Sequence, residues 1–209
     1  MTDKNDERGY YAHLVGIMLT TRGVRFSVAE SEQRKEKFSI ATIALLSVYL
    51  AGWSLAGSLF PEMFSSLQAR ALNLISVVAS VSLLVISLFD FAAGRSVYAE
   101  KMLQNAFTIT GILRETEREL AKEDPDYSII SKLAARYEEV VHGVGVNHTS
   151  QDFKLWKLQK ENALSRFQAV RIWIHSKILQ VFSFTSAMIF QIAILFLIFA
   201  STIGVVLFL

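Results

Sequence analysis

The sequence predicts an all-α integral membrane protein: a helical membrane hairpin, then a cytoplasmic antiparallel helical bundle or coiled coil, then a third, C-terminal membrane helix. Three observations carry this expectation. Hydrophobic residues fill 52% of 209 positions and the mean hydropathy is +0.37, too apolar for most soluble domains of this length. The apolar residues gather into three long runs with few or no charges. Between those runs they recur at helical spacing, and no alternating strand pattern competes.

Taken in order, MTDKNDERGYY carries both signs of charge, and the AHLVGIMLTT that follows is short and contains His13. That is not the layout of a signal peptide. Residues 1–37 are expected as a cytoplasmic amphipathic helix, with Tyr10, Tyr11 and His13 preceding a segment that packs on the bundle or the membrane surface. Phe38 to Phe60 holds no charged residue and is long enough to cross a hydrocarbon core of about 30 Å at about 1.5 Å per residue. Pro61 ends it, and PEMFSSLQARA is a loop short enough for a tight hairpin. Leu72 to Ala93 is the second run, interrupted by Asp90, so that the hairpin occupies 38–93. Ile178 to Leu209 is the third, longer than a perpendicular span needs, and its first turns can lie outside the bilayer.

Orientation follows from the basic residues. Arg34, Lys35 and Lys37 precede the first span, Arg95 and Lys101 follow the second, and the hairpin loop has only Arg70. The positive-inside rule places the N-terminus and residues 94–177 in the cytoplasm of a multi-pass inner-membrane protein, with the loop outside. Within 94–177, Met102, Ala106, Ile109, Leu113, Thr116 and Leu120 make one apolar helix stripe. Asp124, Pro125 and Asp126 close that helix and start another. Ile130, Leu133, Tyr137 and Val140 continue the spacing, Gly143 and Gly145 end it, and TSQD offers caps for a last helix. Trp156, Ala163, Phe167, Val170, Ile174 and Ile178 are its apolar stripe.

The second span also carries a polar stripe. Asn73, Ser76, Ser80, Ser87 and Asp90 share one helix face, followed by Gly94. Two readings stand: small polar residues that hydrogen-bond between packed helices, with Leu83 interrupting any wet line, or a pore or gate. Asp90 lies near the cytoplasmic end of its helix, where it can pair with an arginine such as Arg95 or, in an oligomer, form an acidic ring favouring cations. Gly52 and Ala56 make a small-xxx-small packing pair, and Gln191 in the third span is a further packing candidate.

Composition and motifs exclude several classes. A net charge of +2 gives no surface for direct nucleic-acid binding, and the absence of cysteine excludes disulfides, thiolate chemistry and Cys-ligated zinc. No phosphate-cradling glycine loop, HExxH or GxSxG occurs, so neither an enzyme nor a cofactor is expected. His142, Asn147, His148 and Asp152 match no standard zinc spacing and equally describe a helix end, a polar loop and a helix start. RETERELAKEDPD reads as a solvated helix face.

The layout of a basic N-terminal helix, a tight two-helix membrane hairpin and cytoplasmic helices containing SKLAARYEEVVHGVGVNHTSQDF resembles the SLATT family, membrane effectors that associate with SMODS nucleotidyltransferases and SLOG nucleotide-sensing domains. The likeness covers roughly Thr21 to Lys177. Its local motif is Tyr137 and Glu138 followed by Asn147, His148 and Asp152. The family's basic unit has two membrane helices, and the third is an addition to it. The resemblance implies an anti-phage, abortive-infection effector that oligomerises and perforates or depolarises the inner membrane. It also implies a separate nucleotide-generating, nucleotide-sensing or reverse-transcriptase partner, because the chain has no evident sensing domain. The rival reading is a non-conducting membrane anchor or scaffold that recruits a cytoplasmic partner through its helical bundle. A phage holin is a third, weakened by the long insertion between spans.

Overall fold

The structure, a computed structural model, describes residues 4–143, 152–154, 156–157 and 166–208. It has helices α1 (Lys4–Leu59), α2 (Ser66–Ala93), α3 (Arg95–Leu120), α4 (Tyr127–Gly143) and α5 (Arg166–Phe208), and a 3-10 turn at Pro61–Met63. Residues 152–154 and 156–157 are helical too, and there is no strand among the described residues. The all-α class is as the sequence predicts. Three of the helices are long and apolar enough to cross a membrane.

The amphipathic N-terminal segment and the first span, separable in the sequence, form one uninterrupted helix. The polar stretch between them, SEQRKEK, consists mostly of good helix formers, and no proline occurs before Pro61. Pro61 opens the 3-10 turn. Ser65 then caps α2 through a reciprocal pair: its hydroxyl accepts from the Gln68 amide at 3.2 Å and its amide donates to Gln68 Oε1 at 2.9 Å. Gly94, at φ +55°, ends α2 in the left-handed conformation that a side chain disfavours, and α3 starts at the next residue.

The chain divides into two compact units. The first combines Met1–Glu32 with Ser96–Gln180. Here α1 and α3 run antiparallel, as Arg8 reaching the Leu120 carbonyl and Arg25 reaching Asn105 show, and α3 and α4 form the next antiparallel pair. Met18, Ile109, Ile112, Leu113, Leu133 and Tyr137 make one buried core, and Val24, Val28, Ala29 and Met102 a second. The first core draws on the stripes that helical spacing assigns to α3 and α4, and the second on that of α3 through Met102. Tyr11 of α1 stacks on Tyr127 at the start of α4, with ring centroids 5.8 Å apart. Asp126 caps α4: its Oδ1 accepts from the Ser128 amide at 2.9 Å and the Ser128 hydroxyl at 2.7 Å.

The last apolar stripe divides. Trp156 packs on the second core, against Gly23 of α1, where a Cβ would lie 2.6 Å from the indole Cε2. Val170, Ile174 and Ile178 are instead exposed, because spacing shows that a face is apolar without showing what covers it. Ala163 and the side chain of Phe167 lie outside the described part.

The second unit combines Gln33–Arg95 with Val181–Leu209. Its core is Leu46 of α1, Ala79 and Ile86 of α2, and Ile198 of α5. Outside this seam the helices expose large apolar side chains, Phe91 at 88% for example, as lipid contact requires.

Candidate functional site

In α2 the buried residues are Leu72, Ala79 and Ile86, seven apart, which keeps them on one side of the helix. The polar set is rotated a fraction of a turn from that seam. Asn73 and Ser80 are exposed, while Ser76, Ser87 and Asp90 lie half-buried at its edge. The serines satisfy themselves locally: the Ser80 hydroxyl donates to the Val77 carbonyl and that of Ser87 to the Leu83 carbonyl, both at 2.8 Å. Their oxygens keep acceptor capacity towards a neighbour or an ion.

The two ends of the polar face border cavities. Towards the hairpin turn, Asn73 and Ser76 line a space of about 260 Å³ with Trp53, Gly57, Pro61 and Phe64. At the other end, Asp90 Oδ1 is 3.0 Å from Arg95 Nη1, the pairing the sequence offers as the alternative to an acidic ring. That ion pair lines a space of about 390 Å³ with Phe89, Ala93, Phe190 and Gln191.

Gln191 is buried, and its Nε2 donates to Ser39 Oγ of α1 at 2.8 Å. Tyr49 of α1 and Thr202 of α5 pair through their hydroxyls in the same way. Gly52 meets nothing within 4 Å of a built Cβ, so within one chain it is an open position, and Ala56 is half-buried.

Of the Tyr-Glu and Asn-His-Asp motif, Tyr137 is buried with its hydroxyl 2.9 Å from Thr21 Oγ1, and Glu138 is exposed. Asp152 is half-buried and near enough to Tyr98 to act on its charge, whereas Asn147 and His148 lie outside the described residues. Among the described residues no group of three His, Asp or Glu could hold a metal.

Among the polar contacts that escape the sequence are Arg25 with Asn105, Ser39 with Gln191, and Tyr49 with Thr202. The partners stand from 80 to 153 positions apart. The available signal was a polar residue inside an otherwise apolar stripe, which marks one partner and not the other.

The model of SMODS and SLOG-associating 2TM effector domain family 5 matches residues 11–207. The chain belongs to that family. No curated protein and no solved structure matches it. The match extends past the Thr21 to Lys177 region of the resemblance and takes in α5, so the third apolar helix lies within the family region although the family's name counts two membrane helices. Membership makes the chain a membrane effector domain of SMODS- and SLOG-associated defence systems, a family whose description implies no catalytic activity.

Proposed function

We propose that the chain is a homo-oligomeric inner-membrane effector of anti-phage defence whose α2 polar face lines or gates an ion path when a partner sensor triggers it. The observation that carries this is the outward placement of Asn73 and Ser80 on a helix whose other exposed residues from position 74 to 93 are all apolar: Leu74, Val77, Val78, Val81, Leu84, Leu88, Phe89, Phe91, Ala92 and Ala93. The Asn73 amide facing hydrocarbon is costly, the Ser80 hydroxyl keeps acceptor capacity beyond its own bond to Val77, and neighbouring copies that bring these faces together would surround both with polar atoms. In this reading the N-terminus and residues 94–177 lie in the cytoplasm, by the positive-inside rule, and the exposed helices there receive the trigger. The partner is a separate nucleotide-generating, nucleotide-sensing or reverse-transcriptase protein, by the family association.

The test is membrane potential in a bacterial host, followed with a voltage-sensitive dye during expression with the triggering partner. Asn73→Leu, Ser80→Leu touches no buried core position and should insert normally. Depolarisation by the natural chain and its loss in this variant is the expected result. Equal depolarisation by both would remove α2 from the path. A second reading, a non-conducting scaffold, is favoured by the Asp90–Arg95 pair, which neutralises the acid a cation-selective mouth would use. It predicts partner recovery that depends on residues 94–177, with unchanged potential throughout.

A further inference from the structure

The cavity beside Asp90 and Arg95 has features that packing alone leaves unexplained. Its volume of about 390 Å³ lies within the roughly 300–1,000 Å³ range of small-molecule sites. Its charged lining groups are one carboxylate and one guanidinium, paired with each other, so their charges sum to zero. Gln191, which also lines it, is 7% exposed and uses its Nε2 on Ser39, but its Oε1 is buried with no hydrogen-bond partner. A buried amide oxygen without a donor is destabilising, so an arriving N–H or O–H group is favoured there. The rest of the lining is apolar: the Phe89 and Phe190 rings meet edge to face, centroids 6.0 Å apart, and both are exposed at their outer sides.

From these groups we infer that the cavity binds the headgroup of a phosphoethanolamine phospholipid. The phosphate sits against Arg95, whose planar donor fork suits it. The primary ammonium donates to Gln191 Oε1 and Asp90. The acyl chains leave along Phe89 and Phe190. A zwitterion complements a neutral ion pair, whereas a net anionic headgroup meets the Asp90 carboxylate. A trimethylammonium headgroup has the right charges and no N–H to give Gln191. The assignment stands whether or not α2 lines a pore, because it needs only that this end of the hairpin face lipid.

The experiment uses the full chain in lipid nanodiscs containing equal amounts of phosphatidylethanolamine, phosphatidylcholine and phosphatidylglycerol. Lipid retained on release from the disc is read by native mass spectrometry. The expected result is retention of phosphatidylethanolamine over phosphatidylcholine by about tenfold, the effect of one charge-assisted hydrogen bond. Gln191→Met should bring the two level. Asp90→Asn should raise phosphatidylglycerol retention, a gain of binding that a misfolded variant could not produce. Equal retention of the three lipids by the natural chain, or a preference that survives both Gln191→Met and Arg95→Gln, overturns the assignment. Soluble phosphoethanolamine added as competitor should fail to displace the lipid, and displacement at equal concentration would make the ligand a free phosphate ester instead. Membrane potential does not enter this readout, so its outcome is separate from that of the pore reading.

Discussion

Arg25 should be the most stability-critical polar side chain in the first unit, and its contacts allow the cost to be worked out. It is 1% exposed, donates through Nη1 to Asn105 Oδ1 and through Nη2 to the Val141 carbonyl at 3.2 Å. Asn105 in turn donates through Nδ2 to the Val140 carbonyl at 2.7 Å. Val140 and Val141 belong to the last turn of α4, which ends at Gly143, so their carbonyls have no amide ahead of them within the helix. Arg25 and Asn105 together supply the missing donors and place a positive charge at the negative end of the α4 dipole. Arg25→Met keeps the length of the side chain and removes both bonds. Hydrogen bonds to a charged group contribute about 1.5–3 kcal/mol each, and removing the buried charge returns part of its desolvation cost. The net loss should be about 2–4 kcal/mol. Hydrogen exchange of the full chain in detergent, read peptide by peptide, localises it: α4 amides should exchange on the order of a hundredfold faster, since about 1.4 kcal/mol is one decade. Asn105→Ala should act on the same peptides, and the double variant should fall short of additivity by about 1 kcal/mol or more. Exchange of α4 within threefold of the natural chain would refute the capping argument, as would acceleration spread equally over α2.

Gly23→Ala should destabilise the first unit by about 1 kcal/mol, since a new Cβ would lie under 3.0 Å from three atoms of the Trp156 ring and overpacks the contact by more than the helix propensity of alanine returns. Combined with Trp156→Ala the sign should reverse, and thermal unfolding of the single and double variants checks both. The Asp126 carboxyl is held below its ordinary range by the Ser128 hydroxyl and then by the Ser128 amide. Its folded pKa is therefore the lower one, so the α4 cap is complete above the unfolded value of about 3.9 and is lost as pH falls through the folded value. Asp126→Asn should lack that component of acid loss when α4 exchange is followed from pH 6 downward. Ser39→Ala should cost about 0.6 kcal/mol, typical of a hydrogen bond between membrane helices, and leave membrane insertion unchanged in a steric-trap or thermal assay.

The helices were legible because each is written locally. Three long apolar runs and two stripes at helical spacing need no knowledge of distant residues, whereas the capping box at Ser65 and Gln68 lies inside what reads as the hairpin loop and starts α2 six residues before its apolar run. The continuity of α1 was not legible, since nothing separates a helix that ends and restarts from one that runs on through SEQRKEK when every residue there tolerates both. The exposed Val170, Ile174 and Ile178 mark a related limit. Periodicity reports that a face is apolar, and the partner that covers it, lipid or protein, is a property of the surroundings.

The polar face of α2 shows the same limit where it matters for function. Spacing alone puts Asn73, Ser76, Ser80, Ser87 and Asp90 on one side, and the structure divides them by what each touches. Ser87 and Asp90 are edge residues with local partners, while Asn73 and Ser80 face outward, Ser80 with its hydroxyl bonded to its own backbone. A helix in lipid gains little from burying apolar area against another helix, so association is decided by small contacts, hydrogen bonds and charge neutralisation. The seam of Leu46, Ala79, Ile86 and Ile198 therefore fixes which sides of the three membrane helices meet within one chain. It leaves outward the two side chains with most to gain from a polar neighbour. The Asn73 amide and the spare acceptor capacity of the Ser80 hydroxyl on that outer face are the physical reason to test for an ion path between copies rather than inside one.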